Sequence, residues 1–244
     1  MIGREPTGYV IILVKLSSIT PFGVPLFFFL PDILLSDNVL NCILTFWETA
    51  DFDLTGQLVW PGAKLLNDYL SKNVEMLQGC SVIELGSGVG VTGILCGRFC
   101  RQVVLTDHND EVLKILKKNI ELHAPSVNPN CCAELEAERL EWGNSDQINQ
   151  ILKRYSGGFD LILGADIYIL IQSSVPLLFD TVEQLLCFRG EQCKFILAYV
   201  SRAKIMDSLV IKEATRHGMR MNEVPGTRAL VGNLEGVIFE VFLE

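Results

Sequence analysis

Four short segments of this chain carry residue types and spacings able to do chemistry. Val82-Ile83-Glu84-Leu85-Gly86-Ser87-Gly88-Val89-Gly90 passes from an apolar run into three alternating glycines. Such a turn lets the chain reverse sharply and lets a bound nucleoside lie on the backbone with no side chain between them. A glycine turn alone is a weak signal, and this one is GxGxG, not the GxGxxG usual for dinucleotides. Beyond it, Val104-Leu105-Thr106-Asp107 ends in a carboxylate that can accept both ribose hydroxyls of a nucleoside resting on the glycines. Asp107 could instead cap the following helix, but Asn109 already suits that role. Leu140-Glu141-Trp142-Gly143 ends a third run with an indole, which can hold a flat adenine or simply fill core. Phe159-Asp160-Leu161-Ile162-Leu163-Gly164-Ala165-Asp166 ends a fourth with a carboxylate suited to a place beside a reacting centre.

These segments make sense only on a parallel sheet. From Gly79 onward, short runs rich in Val, Ile and Leu alternate with longer amphipathic stretches, the pattern of strands joined by crossover helices. Seven strands are expected at 81–85, 102–106, 133–140, 159–164, 194–199, 219–224 and 236–243. Helices are expected at 62–72, 91–99, 110–122, 145–155, 175–187 and 202–217. In the third helix Val112, Leu113, Ile115, Leu116 and Ile120 share one face, leaving Lys114, Lys117 and Lys118 for water. The last two strands lack a long helix between them and should pair antiparallel at a sheet edge. The glycine turn, Asp107, Trp142 and Asp166 then all stand at carboxyl ends of strands, where open α/β sheets bind ligands.

The chain's 244 residues suit one core. A net charge of −9, with no Lys/Arg cluster, argues against sequence-independent nucleic-acid binding, and an acidic surface would suit a basic partner. Eight cysteines without CxxC spacing signal neither a zinc site nor a redox dithiol, and fit a reducing, cytoplasmic or nuclear compartment. Residues 9–35 are strongly apolar, but Lys15, Pro21, Pro25 and Pro31 break them up. This favours a strand pair and loop against the domain edge over a membrane anchor.

In order and spacing, residues 55–243 resemble the seven-strand S-adenosylmethionine-dependent methyltransferases. The closer resemblance is to methyltransferase family 16, small protein-lysine methyltransferases that lack a SET domain. It rests on Thr55-Gly56-Gln57-Leu58-Val59-Trp60-Pro61-Gly62-Ala63, the glycine turn, Leu105-Thr106-Asp107, Leu140-Glu141-Trp142-Gly143 and Leu163-Gly164-Ala165-Asp166. It implies a Rossmann-like, doubly wound class I sheet with an antiparallel edge strand, formed by residues 55–244 behind an N-terminal extension at 1–54. It implies S-adenosylmethionine as cofactor, no metal, a lysine-bearing protein as partner, and a monomer without stable membrane association.

By the same resemblance, Trp60 closes over the cofactor and Glu84 faces its methionine amino group. Gly86, Ser87 and Gly88 border it through their backbone, Asp107 takes the ribose and Trp142 lies by adenine. Ala165 and Asp166 line the way to the methyl group, with Asp166 and Tyr168 as catalytic residues. One feature departs from the family, which places an aromatic three positions after this acidic residue. Here Asp166-Ile167-Tyr168-Ile169 has it two positions on, and in an extended segment one position swaps the face. Methyl transfer to small molecules or nucleic acid, a nicotinamide dehydrogenase, and a non-catalytic binding module of the same fold stay open as alternatives. The GxGxG spacing and Trp142 speak against the dehydrogenase.

Overall fold

A computed structural model describes residues 59–123, 131–166 and 173–244, together with the backbone of two strands, β1 (Leu13–Leu16) and β2 (Thr45–Glu48). These two pair in parallel, Leu13 opposite Thr45. The rest of the apolar 9–35 stretch lies outside the described residues.

The main sheet comprises β3 (Ser81–Leu85), β4 (Gln102–Asp107), β5 (Glu134–Arg139), β6 (Leu161–Ala165), β7 (Lys194–Val200), β8 (Met219–Glu223), β9 (Ala229–Val231) and β10 (Leu234–Leu243). Its order is β5-β4-β3-β6-β7-β10-β8, with β9 paired to β10. Strands β3 to β7 are mutually parallel, and β10 runs antiparallel to both β7 and β8. The last two long strands, β8 and β10, therefore pair antiparallel at the sheet edge as expected, with β10 running against the parallel strands and β8 outside it. The hairpin strand β9 has no counterpart in the expected pattern.

The crossovers are α1 (Pro61–Lys72), α2 (Val91–Cys96), α3 (Asp110–His123), α4 (Ser145–Arg154), α5 (Ser174–Arg189) and α6 (Lys204–Arg216). Alternation along β3 and β4 sorts the core into two layers. Val82, Val103 and Leu105 pack with Leu66 and Leu70 of α1, Ile94 of α2 and Leu116 of α3. Ile83, Leu85 and Val104 pack with Ile148 of α4, Phe179 and Val182 of α5 and Val210 of α6. Three helices thus cover each face, the doubly wound arrangement expected. The α3 stripe holds, with Val112, Leu113, Ile115 and Leu116 buried and Lys114, Lys117 and Lys118 exposed. Strand order reverses between β3 and β6, which opens a crevice beyond their carboxyl ends.

Candidate active site

The turn between β3 and α2 holds Gly86, Gly88 and Gly90 at φ +64°, +54° and +90°. L-residues adopt this left-handed region at a cost of about 1–2 kcal/mol each. Gly86 is exposed, and a Cβ there would come within 3.3 Å of Trp142 Cζ2, so the indole edge lies against bare backbone. The turn is tied from behind. Ser87 N donates to Thr106 O (2.8 Å), Ser87 Oγ accepts from Thr106 N (3.0 Å) and donates to Glu84 O (3.2 Å), and Asn119 Nδ2 of α3 reaches Val89 O (2.9 Å). Its outer face is left free to meet a ligand.

Asp107 ends β4 with its side chain 9% exposed. Oδ2 accepts from Gly88 N at 3.2 Å and Oδ1 from Asn109 N at 3.0 Å. A carboxylate offers about four acceptor positions, two of them used by these backbone groups; His108 Nδ1 stands 3.5 Å from Oδ1, and Oδ2 keeps a position for a hydroxyl. Asn109 Oδ1 takes the N–H groups of Glu111 and Val112 at the start of α3, which releases Asp107 from capping. Trp142, half-buried, stands in a tight turn closed by Asn144 N to Glu141 O, and Gly143 N donates to Thr181 Oγ1 of α5 at 2.8 Å. Bare glycine backbone, an indole and a carboxylate with spare acceptor capacity fit the ribose and adenine of a nucleoside.

Glu84 was expected to face the methionine amino group of the cofactor. It lies buried beneath the turn, with Oε2 accepting from Gly93 N of α2 at 3.0 Å. Burial pushes its carboxyl up to about 7, against the lowering effect of Ser87, Gly93 and Thr92. It braces the turn against α2.

Asp166, expected to line the way to the methyl group and orient the substrate amine, is engaged by protein groups in this structure. Its side chain is 1% exposed and gripped by both terminal nitrogens of Arg202, Nη2 to Oδ2 at 2.8 Å. Oδ2 also accepts from Gly62 N in the first turn of α1 at 3.0 Å. Arg202 lies over the ring of Trp60, 5.6 Å from its centroid, so the indole expected to close over the cofactor is held by the same guanidinium. One carboxylate thus ties the end of β6 to the start of α1 and to the segment after β7.

The approach is too close for any side chain at position 62. A Cβ there would stand 2.5 Å from Asp166 Cβ and 2.6 Å from its backbone nitrogen. Ala165, half-buried, ends β6 opposite Ala198. Tyr168 lies outside the described residues. Sequence reasoning missed Arg202, Gly62 and Asn119. Of these only Gly62 left a trace, a poor helix former set in a helix's first turn.

The fold and this site define the S-adenosylmethionine-dependent methyltransferase class. A TehB-like methyltransferase from Corynebacterium glutamicum superposes with a TM-score of 0.53 and 16% identity, over 78% of this chain and 91% of that one. More narrowly, the chain belongs to the lysine methyltransferase family, whose model matches residues 39–216. Protein N-lysine methyltransferase METTL21A of Mus musculus is 38% identical over 122 residues, 50% of this chain and 51% of the relative. Protein N-terminal and lysine N-methyltransferase EFM7 of Yarrowia lipolytica is 30% identical over 174 residues, 65% of this chain and 62% of the relative. The chain therefore spans about half to three-fifths of the length of these curated relatives.

Proposed function

We propose that this protein binds S-adenosylmethionine and transfers its methyl group to a lysine side chain of a protein substrate. The observation that carries the cofactor half is Asp107, fixed beside Gly86 and Gly88 with acceptor capacity left beyond its two backbone bonds. Family membership and the lysine methyltransferase names of the relatives support the acceptor half.

The cofactor supplies a methyl group on a sulfonium, already a good leaving group, so the protein's task is alignment. In this reading Asp107 holds the ribose, Gly86, Ser87 and Gly88 form the bed, and Trp142 walls the adenine. Trp60, under Arg202, bounds the crevice from the α1 side, and Ala165 leaves room at the end of β6. Asp166 is a positioning residue that holds these walls together. A lysine with its ordinary pKa of about 10.4 is almost wholly protonated near neutrality, so an apolar approach that lowers this value is required.

We further propose residues 55–244 as the catalytic domain, residues 1–54 as an extension, and a monomer acting in the cytoplasm or nucleus. Seven described cysteines, all free, suit that compartment. Calorimetry with S-adenosylmethionine, then methylation of an extract with radiolabelled cofactor and mass spectrometry of the labelled band, tests the proposal. A second reading, a binding module without turnover, draws on the engagement of Asp166 by Arg202. Cofactor binding with no labelled protein in any extract would favour it.

A further inference from the structure

Glu84 is a carboxyl that the proposed transfer leaves without a part. It stands on β3 between Ile83 and Leu85, 3% exposed, beneath the glycine turn. Oε2 accepts from Gly93 N at 3.0 Å, and a Cβ on Gly93 would stand 2.8 Å from that oxygen, so the carboxyl lies flush against bare helix backbone. The strand register sets apolar neighbours on either side, Leu105 of β4 and Leu163 of β6. The titratable groups that face it among the described residues are Asp107 at the end of β4 and Cys96 of α2, with the hydroxyls of Ser87 and Thr92 as uncharged neighbours. None of these is a cation. The negative form therefore meets desolvation and a second carboxylate, and a positive charge laid on the outer face of the turn would favour it.

S-adenosylmethionine brings such a charge. Its sulfonium and ammonium outweigh its carboxylate by one, whereas the product, S-adenosylhomocysteine, has lost the sulfonium charge and is neutral overall. The sulfur is two bonds from the ribose ring, and Asp107, the proposed ribose anchor, is the carboxylate that already acts on Glu84. On the reading that this site holds S-adenosylmethionine, we propose that Glu84 is a specificity-determining residue, favouring the cationic cofactor over the neutral product when ionised and giving up that preference when neutral. Burial has pushed its carboxyl up to about 7, so both forms are accessible near neutral pH. Cofactor binding favours the ionised form, lowers this pKa and releases a proton, so affinity for S-adenosylmethionine rises with pH through the window while affinity for the product moves less. Unit charges about 10 Å apart at an effective dielectric of about 20 shift a pKa by about one unit. A shift of that size changes the preference about fivefold between pH 6 and pH 8 and releases about half a proton at pH 6.5.

Calorimetry of the full chain with each ligand, repeated at pH 6.5 in buffers of different ionisation enthalpy, counts the protons released. About half a proton should leave with S-adenosylmethionine and distinctly fewer with S-adenosylhomocysteine. Equal counts for the two ligands would overturn the proposal. The ratio of the two dissociation constants should move about fivefold in favour of the cofactor from pH 6 to pH 8 in wild type, and stay flat in Glu84→Gln, which keeps an acceptor for Gly93 N. The cofactor's own amino group titrates alike with both proteins and cancels in this comparison. The same slope in Glu84→Gln would also overturn the proposal, and if that variant does not fold, the proton counts in wild type decide. Absence of S-adenosylmethionine binding at every pH would remove the cofactor assignment itself, whereas binding without the proton difference removes only the role of Glu84.

Discussion

Replacing Asp166 by Asn separates the two roles open to this residue. As a carboxylate reserved for the substrate amine, it would lose transfer activity and keep its stability. The structure spends that carboxylate on Arg202 and on Gly62 N, with its side chain 1% exposed. Asn keeps one acceptor, loses the charge, and turns an NH2 group toward the guanidinium or the Gly62 N–H. Removing one partner of a fully buried ion pair costs about 3–5 kcal/mol, whereas exposed pairs contribute about 0.2–1 kcal/mol. Arg202 is 30% exposed and can recruit water, so the expected loss lies between, at about 2–3 kcal/mol. For a chain of this size that is about a 5–10 °C fall in Tm.

The assay is urea unfolding of Asp166→Asn, Arg202→Met and the double variant. The double variant should lie about 2 kcal/mol above the sum of the single effects, because either change alone strands the other partner. A Tm within one degree of wild type for Asp166→Asn, or strict additivity in the cycle, would refute the positioning role.

Asp107→Ala removes the proposed ribose contacts, each charge-assisted bond contributing about 1.5–3 kcal/mol, so affinity for S-adenosylmethionine by calorimetry should fall at least tenfold. Unchanged affinity in a folded variant would remove the cofactor assignment. Gly62→Ala sets a methyl 2.5 Å from Asp166 Cβ and should destabilise by about 1–3 kcal/mol, read as a fall in Tm, where an ordinary Gly-to-Ala change in a helix would stabilise. Glu84 makes stability pH-dependent, because folding raises its pKa from 4.5 to about 7. Its contribution is complete below pH 4.5 and is lost as pH rises to about 7, a change of about 3 kcal/mol. Urea unfolding of wild type and Glu84→Gln at pH 5 and pH 7.5 should therefore show wild type losing ground to the variant at the higher pH, and a pH-independent difference would exclude this.

The parallel half of the sheet was readable because β3, β4, β6 and β7 are buried on both faces and so appear as mainly apolar runs, Glu84 being the exception inside β3. The place of β10 was not, since insertion between β7 and β8 depends on pairing between distant segments, which no local pattern records. Within the site, Gly86, Gly88 and Asp107 were legible because backbone geometry and the β4 terminus restrict what can stand there. The orientation of Glu84 was not legible. It shares its strand with Ile83 and Leu85, and only the position of Gly93 shows that its carboxylate is used inside the fold. The role of Asp166 was hidden for a like reason, its partners lying 104 residues before it and 36 after it.

Asp166 also changes how the aromatic two positions beyond it is to be judged. The inference that Tyr168 is carried to the opposite face assumes an extended chain, in which successive side chains alternate. Yet β6 ends at Ala165, and Asp166 has φ +46°, the only non-glycine residue in the left-handed region among the described residues. The chain turns there, and period-two alternation does not run through a turn. A spacing of two in place of three therefore gives no information about which way the ring faces. What the residues up to Asp166 do establish is that the end of β6 is a fixed point, clamped to α1 by Gly62 and to the segment after β7 by Arg202. Such a clamp holds the carboxyl end of β6 in register with the cofactor crevice beside it.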